Sequence, residues 1–284
     1  MPSSAHLPGR RRRRLALFAQ LVAVVLAVGA AVTVIAEGPG GHPGAERLAA
    51  DEVVTVPPLV AAPLPPSVDP SPSAAVASSP SPVLRAPGAV PSAGTGRFGY
   101  DARSGPVLGR AGELRRYRVA VESGSNEAAA DFAQAVEVAL AGPGSWVDSG
   151  RLRLRQVPGD APRDFTVYLA TARTAGRMCA DGGVDIRIGG RPYTSCRSPG
   201  KVIINLDRWR LSVPHFVSAR VPLDVYRTYV VNHEVGHQLG HRHERCPGAG
   251  RPAPVMMQQT LFLNGCRVNP WPYLEGRRYA GPAL

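Results

Sequence analysis

From residue 97 onward the chain of 284 residues predicts an α+β fold. Three observations predict it. Short β-branched or alternating runs at 114–121, 151–157, 165–170 and 202–206 read as strands. Two stretches with apolar residues at helical spacing, one opening near Ser125 and one from Pro222 to Leu239, read as helices. The chain after residue 243 is loop-rich and reads as a smaller, irregular lobe.

Ahead of that domain lie three segments of different character. Residues 1–14 are a basic leader containing the run Arg10–Arg14. Leu15 to Ala36 are 22 positions without a charge. At about 1.5 Å per residue they cross a hydrocarbon core of about 30 Å. The arginine run keeps the leader in the cytoplasm, so the C-terminal side is expected outside the cell, on a single-pass cell-membrane anchor. A cleaved signal peptide, with Val34-Ile35-Ala36 as the cleavage site, is the alternative and gives a secreted protein. Thirteen of the 60 positions 37–96 are proline and none is aromatic. Such a segment buries too little apolar surface to offset its ordering entropy and reads as a disordered spacer.

In the domain, Leu114–Val121 alternates Tyr117, Val119 and Val121 as a half-buried strand does. Ser125 reads as a helix cap, Phe132, Val136 and Leu140 follow at helical spacing, and Gly142-Pro143-Gly144 ends that helix. Arg151–Val157 and Phe165–Ala170 read as strands, and Val202–Leu206 as a buried one. The glycine-rich segment 176–200 holds two cysteines and a hairpin around Gly189-Gly190. The helix from Pro222 to Leu239 is apolar on both sides, with Val231, Val235 and Leu239 opposite His233 and His237, and Tyr226 and Val230 extending the histidine face. A helix of that kind is buried, here between two subdomains.

The candidate chemistry is concentrated at residues 233–243, His-Glu-Val-Gly-His-Gln-Leu-Gly-His-Arg-His. His233 and His237 stand four apart on one helix face, so two imidazoles can reach one metal ion. A continuing helix would carry His243 about 9 Å along the axis from His237. The helix must therefore end at Gly240, a residue free to take the left-handed conformation, for His243 to fold back as third ligand. Three imidazoles with an open fourth position make a catalytic zinc site, which lowers the pKa of bound water to about 7. Glu234 is placed to act as general base and then to protonate the leaving amine. One catalytic Zn²⁺ and peptide-bond hydrolysis are expected.

This stretch resembles the metzincin signature His-Glu-x-x-His-x-x-Gly-x-x-His at every fixed position. Metzincins are zinc endopeptidases with a methionine turn beneath the metal. Pro254-Val255-Met256-Met257 is similar to that turn, with Met256 the chosen residue and Met257 the alternative. The Glu244 after the third histidine resembles astacins at one position. The whole layout also resembles an actinobacterial family of membrane-anchored proteins with a metzincin-like domain. The resemblance implies two subdomains: a mixed sheet with helices above a buried active-site helix, and a small irregular C-terminal lobe. It also implies that a strand at the sheet's rim pairs with extended substrate; which strand is left open. Gln258 and Gln259 stand where some metzincins carry a transition-state tyrosine, so that role is unassigned. Tyr273 and Tyr279 are candidates that also read as packing residues. His241 reads as a supporting or solvated histidine, and His215 as a loop histidine near the cleft.

Cys179, Cys196, Cys246 and Cys266 are an even set in an exported domain and read as two disulfides. Of three connectivities the sequence-local one, Cys179 with Cys196 and Cys246 with Cys266, is favoured. The net charge is +12, and all but Lys201 of the 33 basic residues are arginine. The charge is dispersed and no nucleic-acid motif accompanies it, so a generally basic surface is favoured over nucleic-acid binding. The expected partners are a peptide or protein substrate outside the cell and the membrane through the N-terminal helix; a monomer is expected. Two other functions fit the same residues: an inactive envelope-binding protein of this fold, and a zinc hydrolase of cell-wall peptides.

Overall fold

The computed structural model describes residues 81–284. The expected leader, membrane anchor and spacer positions up to residue 80 lie outside the described residues. Among the described residues no helix is long and apolar enough to cross a membrane.

The fold is α+β. Among the described residues the strands are β1 (Phe98–Tyr100), β2 (Val107–Leu108), β3 (Glu113–Glu122), β4 (Leu152–Gln156), β5 (Phe165–Ala170), β6 (Arg187–Ile188), β7 (Arg191–Pro192), β8 (Cys196–Ser198), β9 (Lys201–Asn205), β10 (Tyr273–Leu274) and β11 (Arg277–Arg278). The helices are α1 (Ala129–Ala141), α2 (Ala172–Asp181), α3 (Leu206–Leu211), α4 (Pro214–Ser218) and α5 (Leu223–Gln238), with a 3-10 turn at Trp146–Ser149.

One mixed sheet organises the domain, in the order β2-β4-β3-β5-β9-β8 with β1 also on β3. The inner four strands run parallel, while β1, β2 and β8 are antiparallel to their neighbours. The ten-residue β3 is long enough to share one edge: β4 pairs with its first half and β1 with its last three residues. Tyr117, Val119 and Val121 of β3 enter the main core with Phe132, Leu140, Phe165, Val167 and Ile204. Trp209 of α3 meets Phe132 of α1 edge-on, with ring centroids 4.8 Å apart. The middle of α5 is buried from Tyr229 to Gly236, as its two-sided apolar pattern requires.

Strands β3, β4, β5 and β9 lie within a residue or so of their expected bounds. The hairpin lies where Gly189 and Gly190 place it, with φ of 57° and 78° bridging β6 and β7. Three expectations are corrected. The first helix begins at Ala129 and has no side-chain cap. Ser125 instead closes a turn, its Oγ accepting from Glu127 N at 3.3 Å while Asn126 takes φ 61°. The glycine-rich segment 176–200, expected to hold a hairpin and with no helix assigned to it, begins inside α2, which runs from Ala172 through Gly176 to Asp181. A Cβ on Gly176 would lie 2.7 Å from Pro192 Cγ, so glycine here lets the hairpin close onto the helix.

The third correction concerns residues 83–96, which composition assigns to the spacer but which are laid onto the domain. Leu223 N donates to Val83 O at 2.8 Å, Ala86 N to Arg210 O at 2.7 Å and Arg173 N to Ser92 O at 3.0 Å. Val90 packs against the core. Backbone groups hold this segment, and side-chain periodicity gives no sign of that.

Glu122, at the end of β3, fastens the same segment to α2. Its carboxylate accepts from Gly96 N (2.8 Å), Thr171 N (2.8 Å), Thr171 Oγ1 (2.9 Å) and Thr174 Oγ1 (2.7 Å). Burial acts to raise its pKa, but the hydrogen bonds from Thr174, Thr171 and Gly96 outweigh that and hold it below the usual carboxylate value. A carboxyl depressed on folding stabilises fully above its unfolded pKa of about 4.3, and that contribution fades as pH falls through the folded value. Glu122→Gln is expected to cost about 2 kcal/mol at neutral pH, since an amide cannot accept all four donors. In urea unfolding, the gap between parent and variant should narrow below about pH 4. A gap that stays constant into acid would show that the carboxylate's charge has no part in the anchoring.

Both disulfides follow the sequence-local pairing. Cys179–Cys196 ties α2 to β8, and Cys246–Cys266 closes a loop in the C-terminal lobe.

Candidate metal centre

Helix α5 ends as its glycine dictates. Gly240 takes φ +96°, Gly240 N donates to His237 O at 3.1 Å, and His241 N reaches back to Gly236 O at 2.9 Å. These two bonds are the paired closure of a left-handed helix end. They reverse the chain within three residues, so His243 returns to the face carrying His233 and His237. Ligating nitrogens of the three histidines lie within 4.8 Å of one another.

Each helical imidazole is oriented by a carbonyl. His233 Nδ1 lies 2.8 Å from Val255 O and His237 Nδ1 lies 2.8 Å from His241 O. A carbonyl only accepts, so both Nδ1 atoms carry the proton and both Nε2 lone pairs are free. Burial, then the neighbouring imidazoles, pushes the pKa of His233 far down; burial lowers His237, and burial with His237 beside it lowers His243 to about 4. All three are neutral at ordinary pH. His237 Nε2 and His243 Nε2 stand 3.1 Å apart. Two such lone pairs at that distance favour a shared cation. The donor set is all nitrogen and uncharged, which suits zinc and not calcium or magnesium. The residues present therefore fit a zinc ion.

Met256 packs against the α5 backbone between the two helical histidines. A Cβ on Gly236 would lie 2.4 Å from Met256 Sδ and 2.7 Å from Trp146 Cζ2. A glycine between the two helical histidines thus lets Met256 and Trp146 reach the α5 backbone. Met257 points elsewhere, into the small cluster of Ala253 and Cys266. The two methionines pack differently: Met256 against Gly236 of α5 and Met257 against the Cys246–Cys266 disulfide. Trp146 is fixed by its Nε1 donating to Asn232 O at 2.8 Å. It stacks on His241 with centroids 4.3 Å apart. His241 is thereby a support: its carbonyl orients His237, and its ring leans on Trp146.

Glu234 is 5% exposed, and burial alone pushes its carboxyl up to about 8. It opens, with the three histidines, into a cleft of about 460 Å³. The cleft walls also carry Arg197 from β8, Tyr229 and Thr260. Arg197 Nε donates to Gln238 Oε1 at 3.0 Å, which holds the arginine between sheet edge and helix end. Sequence reading did not find Arg197 or Thr260, because neither lies in a motif; an arginine on a short strand after a hairpin carries no local signal.

Other expected residues lie elsewhere. Tyr273 belongs to β10, and Tyr279 donates from its hydroxyl to Pro252 O at 3.0 Å; neither lines the cleft. Gln258 lines it, while Gln259 is buried and holds the lobe through Pro254 O and Asn269 O. His215 is helical rather than in a loop; it lies in α4 with Nε2 2.8 Å from Gln259 O, bracing the chain after Met257. Glu244 pairs with Arg278 at 2.7 Å and fastens the C-terminal end.

Comparison with known families matches residues 84–265 to the one described as "Protein of unknown function (DUF3152)". Searches of curated proteins and of solved structures find no match.

Proposed function

This chain belongs to the DUF3152 family of proteins of unknown function, and from the site we propose that it is a zinc-dependent endopeptidase of metzincin type. The observation that carries this reading is the convergence of three neutral imidazoles beside a buried carboxylate in an open cleft. Met256, inside the turn that follows Pro254 and with its thioether against the α5 backbone at Gly236, supports the metzincin kinship. So do the glycine reversal at Gly240 and the antiparallel edge strand β8 beside the cleft.

In the proposed mechanism His233, His237 and His243 would hold the ion, which supplies Lewis acidity at the scissile carbonyl and a more acidic attacking water. Val255 O and His241 O keep the first two imidazoles in the ligating tautomer. Glu234 takes the proton from the attacking water and delivers it to the leaving nitrogen. Edge strand β8 offers unpaired backbone groups on the side away from β9, to which an extended peptide can add as a further strand. Two disulfides in one domain suit an oxidising compartment, so we place the enzyme outside the cell, tethered through residues 15–36.

The test is cleavage of a diverse peptide library by the oxidised, zinc-loaded chain. Internal peptide bonds are expected to be cut. Removing zinc with a chelator should stop cleavage, and added zinc should restore it. The metal should also raise stability by about 4 kcal/mol when free zinc is a thousandfold above its dissociation constant. A zinc-loaded chain that cuts no peptide would sink the peptidase reading.

A further inference from the structure

A second, larger depression adjoins the metal cleft. It has a volume of about 910 Å³ and lies between α2 and the β6–β7 hairpin. Its floor is the small-residue side of α2, where Ala172 and Ala180 lie four positions either side of Gly176; Pro192 of the hairpin closes over Gly176, so the open space lies along the two alanines. Its rim is basic. Arg173 and Arg177 rise from α2, and Arg187 and Arg191 from the hairpin. The two carboxylates on the walls are Asp185 and Asp207. Asp185 is already taken up by Arg187, through Nε to Oδ1 and Nη2 to Oδ2, both at 2.9 Å. Arg177 donates only to a neutral hydroxyl, Thr174 Oγ1, at 3.0 Å. Arg173 and Arg191 have no ion-pair partner among the described residues.

Two observations tie this groove to the site. Val184 and Asp185 line both depressions, so they are one continuous surface. The hairpin also leads directly into β8 through residues 193–195, and Arg197 carries the positive field on from the groove into the metal cleft. A peptide extended along β8 would therefore place side chains on one flank over the groove.

We propose that the groove between α2 and the β6–β7 hairpin is a specificity subsite that receives an acidic side chain of the peptide whose scissile bond lies in the metal cleft. The arginines supply charge-assisted hydrogen bonds, and the small-residue floor accepts the methylenes of a glutamate. This subsite rests on the peptidase reading, but binding tests it without turnover.

The experiment uses the zinc-loaded full chain carrying Glu234→Ala, with fluorescent peptides that differ only in bearing glutamate or glutamine. The glutamate peptide is expected to bind on the order of tenfold more tightly. The double reversal Arg173→Glu with Arg191→Glu should abolish or invert that preference. Arg151→Glu, beside β4 at the far side of the sheet, should leave it intact. Equal affinity for the two peptides overturns the proposal. So does equal loss from Arg151→Glu, or displacement of the glutamate peptide by an oligonucleotide of the same charge, since each points to a general polyanion surface. Cleavage by the parent chain separates the two readings. If it cuts library peptides with no acidic preference, the subsite falls alone. If it cuts none while the binding preference persists, the peptidase reading falls and takes the subsite's role in cleavage with it, and the groove remains only as a site that binds acidic side chains.

Discussion

Glu234→Ala is expected to lower kcat/KM by about a hundredfold to ten-thousandfold, with zinc content unchanged. The size follows from the absence of a substitute. Glu234 is the carboxylate that shares the metal cleft with the three histidines, and Asp185, the other acid on the cleft wall, is held by Arg187. Burial raises the Glu234 carboxyl to about 8, so the bare site favours its neutral form. A cation on the three histidines would lower that value and leave a base poised near neutrality. Alanine also removes a carboxyl that is costly to bury, so the variant should be as stable as the parent or slightly more so. Zinc content by elemental analysis, thermal unfolding and a fluorogenic peptide together separate lost chemistry from lost structure. Turnover within tenfold of the parent would remove Glu234 from the mechanism.

The second large effect is on metal affinity. His237→Ala removes the proposed ligand whose Nε2 lies 3.1 Å from His243 Nε2. Zinc affinity should fall by on the order of a hundredfold to a thousandfold, as one of three proposed ligands would be lost. His241→Ala is the informative control. It keeps the carbonyl that orients His237 and removes only the ring stacked on Trp146. A loss within about tenfold is expected there, the range of outer supports. Equal losses in the two variants would mean that the ligand set is wrong.

What could be read from the sequence follows the range of the interactions involved. The histidine helix, its glycine stop and the return of His243 depend on spacing within eleven residues, and so do the hairpin turn at Gly189-Gly190 and the strands β3, β4, β5 and β9. Two disulfides with short loops were legible for the same reason. Helix α2 was not legible because glycine is a poor helix former, and the need for it at position 176 comes from Pro192, sixteen residues later and across a turn. Residues 83–96 read as spacer because main-chain contacts to Arg210 and Leu223 leave no trace in their side chains. Ser125 shows the limits of a capping signal: the same hydroxyl can close a turn four residues ahead of the helix's first residue, Ala129. That Met256 and Met257 pack on different neighbours needed the structure, where Gly236 gives the Met256 thioether its approach to α5. Arg197 and Thr260 required the cleft itself.

The contact between Val83 and Leu223 has a mechanical consequence. Leu223 is the first residue of α5, and its amide is hydrogen-bonded to the carbonyl of Val83. Tension on the chain upstream of residue 83 is thus delivered first to the leading turn of the helix that carries the histidines. That turn lies about 15 Å along the axis from His233. Stretching the polypeptide would load α5 before any strand of the sheet. The reversal at Gly240 and the turn bearing Met256 lie at its far end, so the ligand cluster would feel the pull through a rigid rod.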